Sequence, residues 1–246
     1  MDEKGAECGM TWSIIARDEK TGRIGIAVAT RAFAVGARVP HIRTGVGALC
    51  TQALTNPYWG PRGLALLSAG ASAEECMRLL RGGDEGRDHR QLHVMDREGR
   101  FAAATGAQCI DWCGHLVRET FSVAGNMLAG GDVIEKTAET FAATGDLPFA
   151  RRLIGALVAG EKAGGDKRGK QSAALLVHDA EEHAALDLRV DDHTDPLAEL
   201  ARLEGVARER FVHMRRYGAT KDDPVGILDR DLLDAVVRNS VEEGYE

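Results

Sequence analysis

The chain has 246 residues, 44% of them hydrophobic and 28% charged, with a formal net charge of −7. That length and balance suit one large globular domain or two small ones and exclude a disordered polyelectrolyte. The 31 basic residues are interspersed among 38 acidic ones, so no segment would gather on a nucleic acid, and no apolar run is long enough to cross a bilayer. Met1–Met10 is acidic and lacks the apolar centre of a secretory signal. The five cysteines (Cys8, Cys50, Cys76, Cys109, Cys113) lack the spacing of a small secreted scaffold and read as free thiols in a reducing cytoplasm.

Trp12 to Ala16 is a short apolar, β-branched run. A turn at Asp18-Glu19-Lys20-Thr21-Gly22 joins it to Ile24–Ala29, which predicts a hairpin. A third extended stretch is predicted over about 39–51, opened by Pro40 and punctuated by Gly45 and Gly47. After a turn at Asn56-Pro57, a helical pattern begins near Pro61 with Leu64, Leu66 and Leu67. The next helix starts at Ser72, which forms an S-x-x-E capping box with Glu75, and stops at Gly82-Gly83. Strands are predicted over 91–95, 100–104 and 120–124, then helices over about 132–143 and 148–161. Two more strands occupy 171–177 and 184–190, and Asp195-Pro196 starts a helix to about Arg216, with a shorter one over about 225–238. A doubly wound sheet would alternate single strands with single helices. Grouped hairpins between grouped helices predict instead an α+β fold, with antiparallel sheets and helices stacked outside them.

Several blocks, in order, resemble one known family. Thr11-Trp12-Ser13-Ile14-Ile15-Ala16-Arg17-Asp18 opens the likeness, which runs through Gly25–Ala29, Gly45–Ala48, Thr51-Gln52-Ala53, Gly60–Leu64 and His89–Leu92. Gly125–Gly130, Gly164–Ala174 and Arg189–His193 continue it, so that it covers about residues 11–205. The family is the uncharacterised domain of unknown function 1028, assigned to the N-terminal-nucleophile (Ntn) hydrolase superfamily. The resemblance implies a four-layer αββα sandwich. It also implies hydrolysis of an amide or ureido bond in a small polar molecule, with no cofactor and no metal. A catalytically silent binding or assembly protein on the same sandwich is the alternative, since a fold does not fix a function.

Such hydrolases use a Thr, Ser or Cys whose own free α-amine is the general base. Thr11 fits that role if Met1–Met10 is a leader that is removed, or a mis-assigned start with translation beginning at Met10. Its bland reading is a β-branched strand residue with a blocked amine. Hairpin geometry sets Thr30 and Arg31 beside Thr11, where superfamily members such as proteasome subunits look as if they carry an acid. Arg31 can bind a substrate carboxylate or remain a solvated strand end. Oxyanion donors are sought in the Gly47 N–H and the Asn126 amide; a tight turn and an Asx turn are their alternatives. Asp166 and Arg168 belong to a Gly-rich loop before the strand that holds Ser172. In the family's fold this loop tends to approach the nucleophile, so that Asp166 and Ser172 would orient the α-amine, and an exposed turn with solvated charges is the alternative reading. Asp191-Asp192-His193 reads as the start of a helix rather than a metal cluster. Cys109, Cys113 and His115 lack a zinc spacing, and Cys50 reads as a buried hydrophobe.

The expected organisation is therefore residues 1–10 a leader or mis-assigned start, 11–194 one domain, and 195–246 a helical extension packed on it. The expected partner is a small-molecule substrate, with no nucleic acid or membrane, and the apolar helix faces near the C-terminus permit a homodimer.

Overall fold

The computed structural model describes residues 11–244, and the chain divides into two compact units, one ending at Leu200 and the other Ala201–Glu246. In the first unit, β1 (Thr11–Arg17) and β2 (Ile24–Thr30) form the expected hairpin, in a register that pairs Thr11 with Thr30 and Arg17 with Ile24. The extended stretch expected over 39–51 is itself a hairpin of β3 (Pro40–Arg43) and β4 (Gly47–Ala53). Gly45, at φ 71°, turns the chain between them, a conformation open to glycine at no steric cost. Helices α1 (Trp59–Ser68) and α2 (Ala73–Gly82) follow, and both hydrogen bonds of the capping box between Ser72 and Glu75 are made.

Next come β5 (Arg90–Asp96), β6 (Phe101–Thr105), β7 (Gly114–Val117) and β8 (Phe121–Asn126). β7 was not expected from the sequence: it is a half-exposed, four-residue edge strand that opens on glycine, with too little apolar signal to register. Helices α3 (Asp132–Ala143) and α4 (Phe149–Lys162) precede β9 (Ser172–His178), β10 (Leu186–Val190) and α5 (Pro196–Glu209).

The strands make two sheets, ordered β10-β9-β2-β1-β8-β7 and β3-β4-β5-β6, with every pair antiparallel. Helices α1 and α2 pack on the four-stranded sheet, α3 and α4 on the six-stranded one, and β1 and β8 face β4 and β5 across the middle. The result is an α+β sandwich layered helix, sheet, sheet, helix. Strand alternation assigns each side chain to a layer. Leu49, Leu92 and Val94 point to α1 and α2 with Trp59, Leu67 and Leu80. Trp12 and Phe121 belong to the other helical face, where Phe121, Phe141 and Phe149 meet edge to face. The layer between the sheets is half apolar, built from Ile15, Ile26, Val28, Cys50 and Met95.

Asp96 ties this sandwich together at one end. Its carboxylate accepts from the N–H groups of Ala73 (3.0 Å), Glu98 (3.1 Å) and Arg100 (3.0 Å) and from Arg100 Nε (2.8 Å). Burial alone would raise its pKa, but these donors and the Arg100 charge outweigh it and hold the carboxyl below the usual range. A depressed folded pKa gives stability that is present above the unfolded value of about 3.9 and lost as pH falls through the folded one. Asp96→Asn turns an amide towards at least one of these donors, and an unfolding free energy lower by about 2–3 kcal/mol is expected. Urea titrations between about pH 2 and pH 6 should show a shallower acid limb in the variant than in the parent.

In the second unit, the helix expected to run to about Arg216 breaks at Arg210, whose φ of −152° leaves the helical region. α6 (Phe211–Met214) and α7 (Arg230–Glu243) follow, joined by a hydrogen bond of 3.0 Å between His213 Nδ1 and Ser240 Oγ. Asp229 caps α7 by accepting from Leu232 N at 3.0 Å.

Candidate active site

Thr11 stands at the head of β1, between Thr30 of β2 and Asn126 of β8. Its hydroxyl donates to Thr30 Oγ1 at 3.4 Å. Its carbonyl accepts from two side-chain amides, Gln52 Nε2 and Asn126 Nδ2, each at 3.4 Å. Both amides also donate to Gln91 Oε1, at 2.7 and 3.1 Å. Gln91 Nε2 in turn reaches Thr105 Oγ1 (2.8 Å) and the carbonyls of Gly114 (3.0 Å) and Gly125 (2.8 Å). The other half of the layer between the sheets is thus a connected polar network that ends on the Thr11 main chain.

The network extends inward through Ser13, whose hydroxyl donates to Gln52 Oε1 at 2.7 Å. Ser13 Oγ therefore accepts from His93 Nε2 at 2.9 Å, which leaves His93 Nδ1 to accept from Ser122 Oγ at 2.7 Å. Burial, helped by the nearby His115, pushes the His93 pKa down to about 3, so the ring is neutral as this pattern requires. Burial likewise pushes the Cys50 thiol up, which keeps it a protonated, inert hydrophobe.

The loop from Gly164 to Gln171 closes over the end of β1. Asp166 bridges Leu128, just past the end of β8, while its Oδ2 accepts the Arg31 N–H at 2.8 Å, just past the end of β2. β1 lies between those two strands in the sheet, so Asp166 links the two strands that flank it. The Asp166 carboxylate is fully buried, and Arg168 neutralises it through its N–H (2.8 Å) and guanidinium (3.3 Å). Ser172, paired with Thr30, binds neither Thr11 nor Asp166: it accepts from Val35 N–H at 3.1 Å and donates to the Ala32 carbonyl.

Two expected donors take other roles. Gly47 lies at the far end of β4, five residues and roughly 17 Å from Gln52 at a strand's rise of about 3.4 Å per residue. Its glycine is explained by packing, since at φ 146° a Cβ would sit 2.3 Å from the Met95 carbonyl oxygen. Asn126 does adjoin Thr11, but its amide is committed to the Thr11 carbonyl and Gln91, so it orients the residue rather than offering a free donor.

Strain gathers around the same place. Among the described residues, Ala34, Ala53 and Met127 are the non-glycine residues with positive φ, at 53°, 67° and 53°. Ala53 follows Gln52 and Met127 follows Asn126 directly. Such backbones cost of order 1–3 kcal/mol each and cluster where geometry matters for function. Among the described residues, no three His, Cys, Asp or Glu side chains converge as metal ligands would. Asp195, after the Asp191-Asp192-His193 run, caps α5 by accepting from Ala198 N at 3.3 Å.

Residues 11–200 match the family of unknown function DUF1028. The chain belongs to that family. A Silicibacter pomeroyi protein of DUF1028 has a crystal structure that is similar at 35% sequence identity and a TM-score of 0.83, over 90% of this chain and 96% of that one. Anbu (ancestral beta-subunit) from Yersinia bercovieri matches 80% of this chain and 94% of its own at 13% identity and a TM-score of 0.41, too distant to carry an argument. No curated protein matches the sequence. The DUF1028 match ends at Leu200, where the first compact unit also ends. No helix among the described residues is long and apolar enough to cross a membrane.

Sequence reasoning gave no role to Gln52, Gln91, Ser13, His93 or Ser122. The usable signal was the alternation of polar Gln91 and His93 with Leu92 and Val94 in β5, all of them buried.

Proposed function

We propose that this DUF1028 chain is an N-terminal-nucleophile hydrolase that cleaves an amide or ureido bond in a small polar molecule, with Thr11 as the nucleophile. The observation that carries the reading is the convergence of Gln52, Asn126 and Thr30 on Thr11 at the head of one strand, with the Asp166 carboxylate on the N–H of Arg31, the residue after Thr30. The free α-amine of Thr11 would take the proton from Oγ1 as Oγ1 attacks the substrate carbonyl. Asp166 stabilises the ammonium so formed. The proton then passes to the leaving amine as the C–N bond breaks, leaving an ester on Oγ1. Water, deprotonated by the same amine, cleaves that ester and restores Thr11. Asn126 and Gln52 are positioning residues that fix the Thr11 carbonyl and hence the direction of its amine.

The reading requires Thr11 to be the first residue. Met1–Met10, expected to be removed or untranslated, lies outside the described residues. Intact mass and N-terminal sequencing of the protein from expressing cells test this: a chain beginning at Thr11 is expected. A panel of amides and ureides should then be hydrolysed by that form and not by one that keeps Met1–Met10. Equal activity in both would remove the nucleophile assignment. Absence of activity in both would favour the second reading, a binding module, which draws on Thr11 being only 3% exposed.

A further inference from the structure

A cavity of about 380 Å³ opens beside the strand end that holds Thr11, lined by Arg31, Phe33, Arg38, Arg168 and Gln171 together with small alanines. That volume lies within the range of small-molecule pockets. Among the described residues, no carboxylate lines it. Arg168 already has its counter-ion in Asp166. Among the described residues, the Arg31 guanidinium donates only to the neutral Gln171 amide (2.9 Å), while the Arg31 main-chain N–H is the one bound to Asp166, and the Arg38 guanidinium has no partner. Among the described residues the cavity therefore carries two guanidinium groups with no direct carboxylate partner, the Asp192 carboxylate standing behind the Gln171 amide at 3.0 Å. Phe33, 63% exposed, and the alanine methyls add an apolar wall.

The wall is held in place before any ligand arrives. Ser172 grips the turn at Ala32 and Val35, the Ala34 N–H donates to the Asp191 carbonyl at 3.0 Å, and Ala34 keeps a left-handed backbone, φ 53°. A preorganised turn loses less on binding than a mobile one.

We infer that this cavity is an anion subsite that seats a carboxylate of the substrate between Arg31 and Arg38, with the adjoining hydrocarbon against Phe33. The inference rests on the hydrolase reading above and narrows its substrate class to small amides or ureides bearing a free carboxylate. Arg31 follows Thr30, which pairs with Thr11 at a Cα separation of about 5 Å. The cavity thus opens at the residue next to the cross-strand partner of Thr11. A guanidinium fork matches the two oxygens of a carboxylate.

The test is calorimetric binding to the full chain at low ionic strength, because two solvent-facing charges are screened by salt. The probes are glutarate, its neutral diamide glutaramide, and inorganic phosphate. Glutarate is expected to bind, glutaramide not to, and Arg38→Ala to weaken glutarate about tenfold or more, with Arg38→Lys in between. Equal binding of glutarate and glutaramide, an unchanged Arg38→Ala, or binding of phosphate alone would each overturn the assignment. Glutarate binding lost in Arg38→Ala by a protein that hydrolyses nothing supports the subsite and sinks the hydrolase reading. Equal hydrolysis of neutral and carboxylate-bearing amides, unaffected by Arg38→Ala, does the reverse.

Discussion

In a chain that begins at position 11, Thr11→Val is expected to hydrolyse the best amide of a panel at least about a thousandfold more slowly than the parent. Valine is the informative replacement. It keeps the β-branched shape that β1 needs and loses only the hydroxyl, whose sole described hydrogen bond is the long one to Thr30 at 3.4 Å. The unfolding midpoint should therefore hardly move, which separates chemistry from stability. Thr11→Ser keeps a hydroxyl and should retain part of the activity. Acetylating the α-amine of the wild-type chain leaves the hydroxyl and removes the base, so it should be as damaging as Thr11→Val. The pH dependence carries the same signature. The amine acts when unprotonated, so kcat/KM should rise with pH through its pKa, which is about 7.7–8.0 for an unperturbed terminus. A Thr11→Val chain that keeps its rate, or a profile flat between about pH 6 and pH 9, contradicts the assignment.

How much of this site the sequence carries depends on the kind of information involved. The short turn between Asp18 and Gly22 determines the hairpin register, and with it the pairing of Thr11 and Thr30. That pairing needs nothing beyond local chemistry, and the same holds for the capping box at Ser72. β3 and β4 read as one stretch in the sequence because Gly45 and Gly47 look alike there. In the structure Gly45 turns the chain, while Gly47 makes room for the Met95 carbonyl, a contact with β5 that lies far along the chain.

The polar network is the clearest case of information that resides in packing. In a single antiparallel sheet, polar residues alternating with apolar ones mark the solvated face. Gln91 and His93 follow that pattern, yet their face meets a second sheet, and they find partners on β1, β4 and β8. The left-handed Ala53 and Met127 are equally silent, because nothing about an alanine or a methionine announces positive φ. The acid at this end of the hairpin is Asp166, which takes the Arg31 N–H from 135 positions away in the chain, where the hairpin itself supplies only Thr30-Arg31.

Gln91→Ala is expected to lower the unfolding free energy by about 3–5 kcal/mol, a large share of the 5–15 kcal/mol typical of a folded domain. Gln91 is fully buried, and removing it takes one hydrogen-bond partner from each of the amides of Gln52 and Asn126, the Thr105 hydroxyl and the carbonyls of Gly114 and Gly125. Admitted water can satisfy some of these groups, which is why the estimate stays below the sum of five separate losses. Gln91→Glu distinguishes lost hydrogen bonds from lost volume. It is nearly isosteric, but an oxygen now faces the Gly114 and Gly125 carbonyls, and an ionised carboxylate there would be repelled by both. The buried acid is therefore expected to stay protonated, with a folded pKa raised above the unfolded value of about 4.3. The folded state then binds more protons than the unfolded one, so the stability of Gln91→Glu should fall as pH rises above about 4.3, while the Asp96 contribution to the parent changes in the opposite sense on the acid side. Urea denaturation across that range reads both. A Gln91→Ala midpoint within about 1 kcal/mol of the parent, or a Gln91→Glu stability independent of pH, would mean that the amides on Thr11 are held by something other than Gln91. If the network does hold them, Gln91→Ala should also lower kcat while the protein is still folded, since Asn126 and Gln52 lose the anchor through which they fix the Thr11 carbonyl.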